Sequence, residues 1–241
     1  MENLILIETS TELCSTAIAS EGKIISHRES DTPRSHASLT AVFIDEMLKE
    51  TGMAVKDCSA VCVSMGPGSY TGLRVGVSTA KGLCFGAGIP LLAIGTLDTL
   101  VWQAIGSGNA DESAAGQSSL LPEDCRYIVP MIDARRMEVY TALFSPDGRQ
   151  ISETEARIID QDSFDRQLGD GPVLFIGDAA DKCSRVIGHR NAHFVQCCPE
   201  ATAMLIPATM EYKEKRFKDV AYFEPFYLKN FVATVSRKKL F

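Results

Sequence analysis

Gly66-Pro67-Gly68-Ser69-Tyr70-Thr71-Gly72-Leu73-Arg74 is the stretch of this 241-residue sequence whose residue types and spacing most invite chemistry. It follows a short apolar run at 60–64 and precedes a glycine-spotted apolar segment at 74–85. The pattern predicts strand, glycine turn and helix, which aims backbone N–H groups and a helix N-terminus at an anion. Gly66, Gly68 and Gly72 admit a positive φ or the close approach of a phosphate. Ser69 and Thr71 can cap the helix and offer hydroxyls. Glu8-Thr9-Ser10, closing another apolar run, completes the outline of a nucleotide loop. No Lys-Ser/Thr follows the last glycine and the spacing is not G-x-G-x-x-G, so neither common phosphate motif is present. Two readings stay open: a vestigial phosphate cradle, or a tight turn whose glycines serve packing.

Other residues that could do chemistry are weaker. His189 and His193 have metal-pair spacing, but Gly188 and Asn191 interrupt any helix there and Arg190 stands where a metalloprotease needs Glu. Ser69 has His36 as a conceivable base, yet Gly-x-Ser-x-Gly is absent. Glu8 and Asp133 each end an apolar run and are paired acids; a role toward Mg²⁺ and nucleotide competes with one accepting loop N–H groups. No catalytic residue, metal or cofactor is expected.

These residues need a scaffold. The first half predicts strands at 4–7, 14–19, 23–26, 60–64 and 90–94, with a turn at Glu21-Gly22. Helices are predicted at 35–50, ended by Gly52, at 74–85, and at 96–105. Residues 106–119 are small, polar and unpatterned, which predicts a linker between halves 1–105 and 120–241. The second half repeats the programme, with strands at 127–132, 138–144, from 150, at 173–176 and at 193–195, and helices at 179–187 and 202–215. Fourteen residues separate Glu8 from Gly22 and fifteen separate Asp133 from Gly148, the mark of a degenerate duplication. The fold class is therefore α/β, with two related halves of mixed sheet flanked by helices. An acid at the end of each half's first strand, with a hairpin behind it, is the layout of actin-like and ribonuclease-H-like folds.

Composition agrees with an ordinary globular chain, 45% hydrophobic and 23% charged. A net charge of −7 argues against free nucleic-acid binding, so RNA is expected to be reached through a partner. No apolar run approaches the length of a membrane span. Eight cysteines without a C-x-x-C pair suit reduced thiols in a cytoplasmic protein.

Several segments together resemble one family. Ile5-Leu6-Ile7-Glu8-Thr9-Ser10-Thr11, Arg34-Ser35-His36, the glycine block through Gly76, Ala80-Lys81-Gly82-Leu83, Asp133-Ala134-Arg135-Arg136-Met137-Glu138-Val139-Tyr140 and Glu224-Pro225-Phe226-Tyr227-Leu228 closely resemble the TsaB (YeaZ) family. The resemblance implies two actin-like halves of the ASKHA, ribonuclease-H-like type. It also implies a place in the machinery that puts a threonylcarbamoyl group on the adenosine beside the anticodon of tRNAs. The implied partners are a TsaD-like transferase, a TsaE-like ATPase, a second copy in isolation, and tRNA through the complex, with no membrane. The implied partner surface joins Leu39, Val42, Phe43 and Met47 of the first helix to Leu73, Arg74, Val77, Ala80 and Lys81 of the second. TsaD-like enzymes carry H-x-x-x-H just after a strand ending Ile-Gly; here Asp98 and Trp102 stand at those positions, and an indole offers only a donor. The chain is thus expected to be a non-catalytic subunit. The alternatives are a free-standing actin-like ATPase or a glycoprotease-like metallopeptidase.

Overall fold

A computed structural model describes residues 2–106 and 119–229. Strand β1 (Asn3–Glu8) sits at the centre of a five-stranded sheet and is buried on both faces. Ile5 and Ile7 point to one side and Leu4 and Leu6 to the other, the period-two alternation of a strand covered by two layers. β2 (Cys14–Ser20) and β3 (Lys23–Ser30) continue antiparallel on one flank. Glu21 and Gly22 turn between them at φ of 52° and 76°. β4 (Ala60–Gly66) and β5 (Leu91–Gly95) lie parallel on the other flank, giving the order β3-β2-β1-β4-β5.

Two helices cover one face of this sheet. α1 (His36–Thr51) starts after Ser35 and ends on the left-handed Gly52. α2 (Tyr70–Ala87) follows the glycine turn. Ile44, Met47 and Leu48 of α1 and Val77, Ala80 and Cys84 of α2 pack on Ile5, Ile7, Val61 and Val63. α3 (Thr96–Ile105) leaves β5 toward the second half.

The second sheet repeats the first. β6 (Tyr127–Asp133) is central, β7 (Glu138–Thr141) and β8 (Glu155–Ile158) are antiparallel on one flank, and β9 (Val173–Gly177) and β10 (Ala192–Gln196) are parallel on the other. The order β10-β9-β6-β7-β8 is the order of the first sheet, strand for strand. Its helices are shorter: α4 (Asp165–Asp170), α5 (Ala180–Ser184) and α6 (Leu205–Lys213). The halves interlock through their last helices. α3 packs on Ile128, Ile132, Leu174 and Ile176 of the second sheet. α6 and the 3₁₀ turn Ala201–Met204 pack on Leu4, Leu6, Cys62 and Leu92 of the first. Gln103 of α3, 4% exposed, grips the crossing segment through the Cys198 carbonyl (3.1 Å) and the Glu200 N–H (3.1 Å).

Several boundaries differ from the sequence reading, among them β3, which runs on to Ser30, and β7, which stops at Thr141. α2 begins at Tyr70 rather than Arg74, because Ser69 caps it by accepting from the Gly72 N–H at 3.3 Å. The strand expected from 150 pairs regularly only at Glu155–Ile158; the Ile151 and Ser152 N–H groups both converge on the Leu143 carbonyl, which turns the chain away. The helix after β9 stops at Ser184, where Val186 and Ile187 tighten onto the Cys183 carbonyl. The helix expected at 202–215 starts as a 3₁₀ turn and ends at Lys213. The linker expected at 106–119 falls almost wholly, at 107–118, outside the described residues. All eight cysteines are unpaired, five of them buried.

Candidate functional site

The C-terminal ends of β1, β4 and β5 bring the glycine turn against the β1–β2 turn. Glu8 closes β1 at 0% exposure, and its Oε1 accepts from the Ser10 N–H (2.7 Å) and the Ser64 hydroxyl (2.9 Å). Its Oε2 is buried without a partner. Burial pushes the carboxyl up to about 7, against the opposing hydrogen bonds from Ser10 and Ser64. Thr9 Oγ1 donates to the Gly72 carbonyl at 2.9 Å, and the Ser69 N–H donates to the Ser10 carbonyl at 2.6 Å.

The same residues fill the turn. A Cβ at Gly68 would lie 2.4 Å from the Ser10 carbonyl oxygen, one at Gly72 2.0 Å from that of Thr9, and one at Gly76 2.3 Å from Thr9 Oγ1. Glycine is required there because the turn after β1 occupies the space a side chain would take. Of the two readings of the loop, the geometry favours packing. Glu8, Thr9, Ser10, Gly68, Ser69 and Gly72 are brought together, while Thr71 stands exposed on the first turn of α2.

Gly66, at φ 105°, meets a different segment, for a Cβ there would lie 2.8 Å from the Phe226 carbonyl oxygen. Residues 218–229 form a strap along α2. Lys218 bridges to Leu91, Val220 and Phe223 join the core beneath α1 and α2, and the Phe226 N–H donates to the Met65 carbonyl at 2.7 Å. The Tyr227 ring lies 4.8 Å from that of Tyr70, and the Arg74 guanidinium lies 5.5 Å from the centre of the Tyr70 ring. Lys81 clamps the strap by donating to the carbonyls of Ala221 (3.0 Å) and Phe223 (3.1 Å). Lys81→Met keeps the stem and loses both bonds. About 1–2 kcal/mol of local stability should go, and proteolytic cleavage within 219–226 should speed up roughly tenfold; unchanged cleavage would show that the strap is held elsewhere.

The helix residues expected to meet a partner divide sharply. Met47 and Ala80 are fully buried, as are Leu73 and all but 4% of Val77. All four belong to the buried core of the protomer, so none is free to face a partner. The sheet below takes up Met47, Val77 and Ala80. Leu39 and Phe43 are half-buried, Val42 is 45% exposed, Arg74 is exposed, and Lys81 is engaged with the strap. The outward stripe of α2 is Thr71, Arg74, Ser78, Gly82 and Phe85, with Phe85 86% exposed. Two shallow depressions flank it, one of about 320 Å³ at Tyr70, Thr71, Arg74, Val75 and Ser78, the other of about 610 Å³ at Lys81, Phe85 and Asp219–Ala221. Phe85 escapes the sequence reading because it lies off the apolar stripe. Its i, i+3, i+7, i+11, i+14 relation to Thr71 is the available signal.

Asp98 lies in the first turn of α3, its carboxylate folded back over Gly95, and burial pushes it up to about 6. Trp102 packs beside Gly148. Asp133 accepts from the Arg135 N–H (2.6 Å) and pairs with Lys182 (2.7 Å), a structural role for the second of the two paired acids. Asp178, which accepts the Asp133 N–H at 2.7 Å, is also raised to about 6, chiefly by burial. His189 sits in an exposed turn, where its Nδ1 accepts from the Asn191 N–H (3.1 Å), and His193 is exposed on β10. Among the described residues no three His, Cys, Asp or Glu side chains converge as metal ligands, and no helix is long and apolar enough to cross a membrane.

Known proteins match this architecture. A family model described as TsaD, tRNA N6-adenosine threonylcarbamoyltransferase, matches residues 24–233. The tRNA threonylcarbamoyladenosine biosynthesis protein TsaB of Escherichia coli K12 is 30% identical, over 95% of this chain and 96% of its own. The Haemophilus influenzae protein of the same name is 29% identical, over 100% and 98%. The solved structure of YeaZ from Pseudomonas aeruginosa superposes with a TM-score of 0.76 at 24% identity, over 95% of this chain and all of that one, and so shares the fold. These matches, which run over nearly the whole chain, show that the chain belongs to the TsaB family.

Proposed function

We propose that this chain is a non-catalytic partner subunit in forming the threonylcarbamoyl group on the adenosine next to the anticodon of tRNAs. Its family name supports the pathway. In this reading it binds and organises a TsaD-like transferase in the cytoplasm, a TsaE-like ATPase joins the pair, and tRNA is met in the complex. The observation that carries the reading is how the glycine block is used. Its glycines hold α2 tightly against β1, and α2 then presents Arg74, Ser78, Gly82 and the 86%-exposed Phe85 outward. The block serves to display a helix. Asp98 and Trp102, standing where the related enzymes have histidines, support the absence of a transferase centre.

The partner surface in this proposal is Leu39, Val42 and Phe43 of α1 with the outward stripe of α2, and a second copy occupies it when the transferase is absent. A charge placed in a desolvated patch has no counter-ion and is costly to bury. Phe85→Asp and Phe43→Asp should each weaken binding of a co-expressed TsaD-like protein at least tenfold, about 1.4 kcal/mol, with the far-ultraviolet circular dichroism unchanged. Val77→Glu should instead unfold the chain, since Val77 is core. A native pull-down that recovers no TsaD-like protein, or folded Asp variants that bind it as wild type does, would overturn the proposal.

A further inference from the structure

The loop between β6 and β7 places two consecutive arginines in left-handed backbone conformations, Arg135 at φ 75° and Arg136 at φ 54°. Tight hairpin turns with two positive φ angles normally take Asn or Gly, because a larger L-residue is strained there. Here the strain is accepted twice, and the backbone is pinned to enforce it. The Arg135 N–H donates to Asp133 (2.6 Å), the Glu138 N–H to the Arg135 carbonyl (3.1 Å), the Ala134 N–H to the Glu138 carbonyl (3.1 Å) and Lys182 Nζ to the Arg136 carbonyl (2.9 Å). Strain maintained by its surroundings points toward function rather than stability.

The side chains add a second observation. Both arginines are exposed, and among the described residues neither makes a side-chain hydrogen bond, ion pair or ring contact. The two acids beside them already have cations: Asp133 pairs with Lys182 and Glu138 with Lys229. The tip therefore carries two uncompensated guanidinium groups on a chain whose net charge is −7. A guanidinium fork matches a phosphate bidentately and stays charged at any working pH. The tip belongs to the second sheet, whereas α1 and α2 cover the first.

We infer that Arg135 and Arg136 are a direct contact for backbone phosphates of RNA, a point where this acidic subunit touches the tRNA itself. The inference rests on the reading of the chain as a subunit of the tRNA-modifying complex. The rival occupant, a carboxylate of a protein partner, is an outcome of the same test.

The experiment titrates salt against the binding of an unmodified tRNA transcript to the complex of the full chain with its TsaD-like partner. The variant is R135G/R136G, which removes both charges and places glycine where φ is already positive, so the fold is not penalised. Each neutralised phosphate contributes about 0.7–0.9 to the slope of log K against log salt. The variant should lower that slope by about 1.4–1.8 and weaken binding at low salt at least tenfold. R135K/R136K, which keeps both charges, should keep the slope. Unchanged affinity and slope in R135G/R136G overturn the inference alone. So does a loss that appears equally in RNA-free binding of the protein partner, which assigns the tip to a carboxylate. A wild-type complex that forms but binds no tRNA overturns the functional reading and this inference together.

Discussion

Gly72→Ala is expected to cost at least about 3 kcal/mol and to leave little folded protein at physiological temperature. Helix propensity alone says the opposite, since Gly72 lies in the first turn of α2 and alanine is the better helix former by about 1 kcal/mol. The steric effect wins because the clash has no soft partner. The new Cβ would stand 2.0 Å from the Thr9 carbonyl oxygen, an atom of the main chain. Thr9 is fully buried and tied by its hydroxyl to the Gly72 carbonyl. Relief requires α2 to move off β1, against a core in which Val77, Ala80 and Cys84 interlock with Ile5, Ile7 and Val63. Gly82 and Gly86 supply the control within the same helix, for a Cβ at either meets nothing within 4 Å. Gly82→Ala and Gly86→Ala should therefore stabilise by about 0.5–1 kcal/mol. Urea denaturation of the three variants checks the contrast. A Gly72→Ala chain within about 1 kcal/mol of wild type would mean that the turn is not filled as described, and would return the glycines to the phosphate reading.

The first half is legible in the sequence because its signals are long. The apolar run ending at Glu8, the Glu21-Gly22 turn and the 16-residue helix closed by Gly52 each extend over enough residues for periodicity and capping to agree. The second half keeps the strand order of the first while its helices shrink. α4 has six residues, too few for a helical period to register, and is entered through Phe164 at φ 68°, while α5 is expected at 179–187 but stops at Ser184. The site is legible in its membership and less so in its orientation. Glu8, Thr9, Ser10 and the glycines do meet, but the fact that Thr9 and Ser10 occupy the turn depends on distances no spacing encodes. Met47, Leu73, Val77 and Ala80 are placed outward by the resemblance, because matching residue types do not say which neighbour an apolar helix face packs on; the protomer's own interior takes them. The segment Glu224-Pro225-Phe226-Tyr227-Leu228 is visible as a motif, yet its role as a strap depends on contacts such as Lys81 to Ala221, 140 residues apart in sequence.

The gap in stability between Glu8→Gln and wild type should change by on the order of 3 kcal/mol between about pH 5 and pH 8, in favour of the variant at the higher pH. The sign follows from which state binds the proton. Burial holds the folded carboxyl at about 7, against an ordinary value of 4.5 when the chain unfolds. Near pH 5 Glu8 is protonated in the folded protein and largely ionised in the unfolded one, so the folded state binds more protons. Raising the pH then removes stability progressively from about 4.5 to 7, with no further loss from this group beyond that. Glutamine does not titrate, so the variant escapes this decline. Its amide oxygen can still accept from the Ser10 N–H and the Ser64 hydroxyl. Its amide nitrogen takes the place of an oxygen that has no partner, a cost that does not depend on pH and cancels in the difference. Asp98 and Asp178, each pushed up to about 6 by burial, act in the same direction, so wild type itself should be more stable near pH 5 than near pH 8. Glu50, Asp147 and Asp160 are held below their ordinary values by hydrogen bonds, and they oppose this trend only at more acid pH. Chemical denaturation of both proteins across this range checks the prediction, and a gap that stays constant with pH would show that Glu8 keeps an ordinary carboxyl in the folded chain.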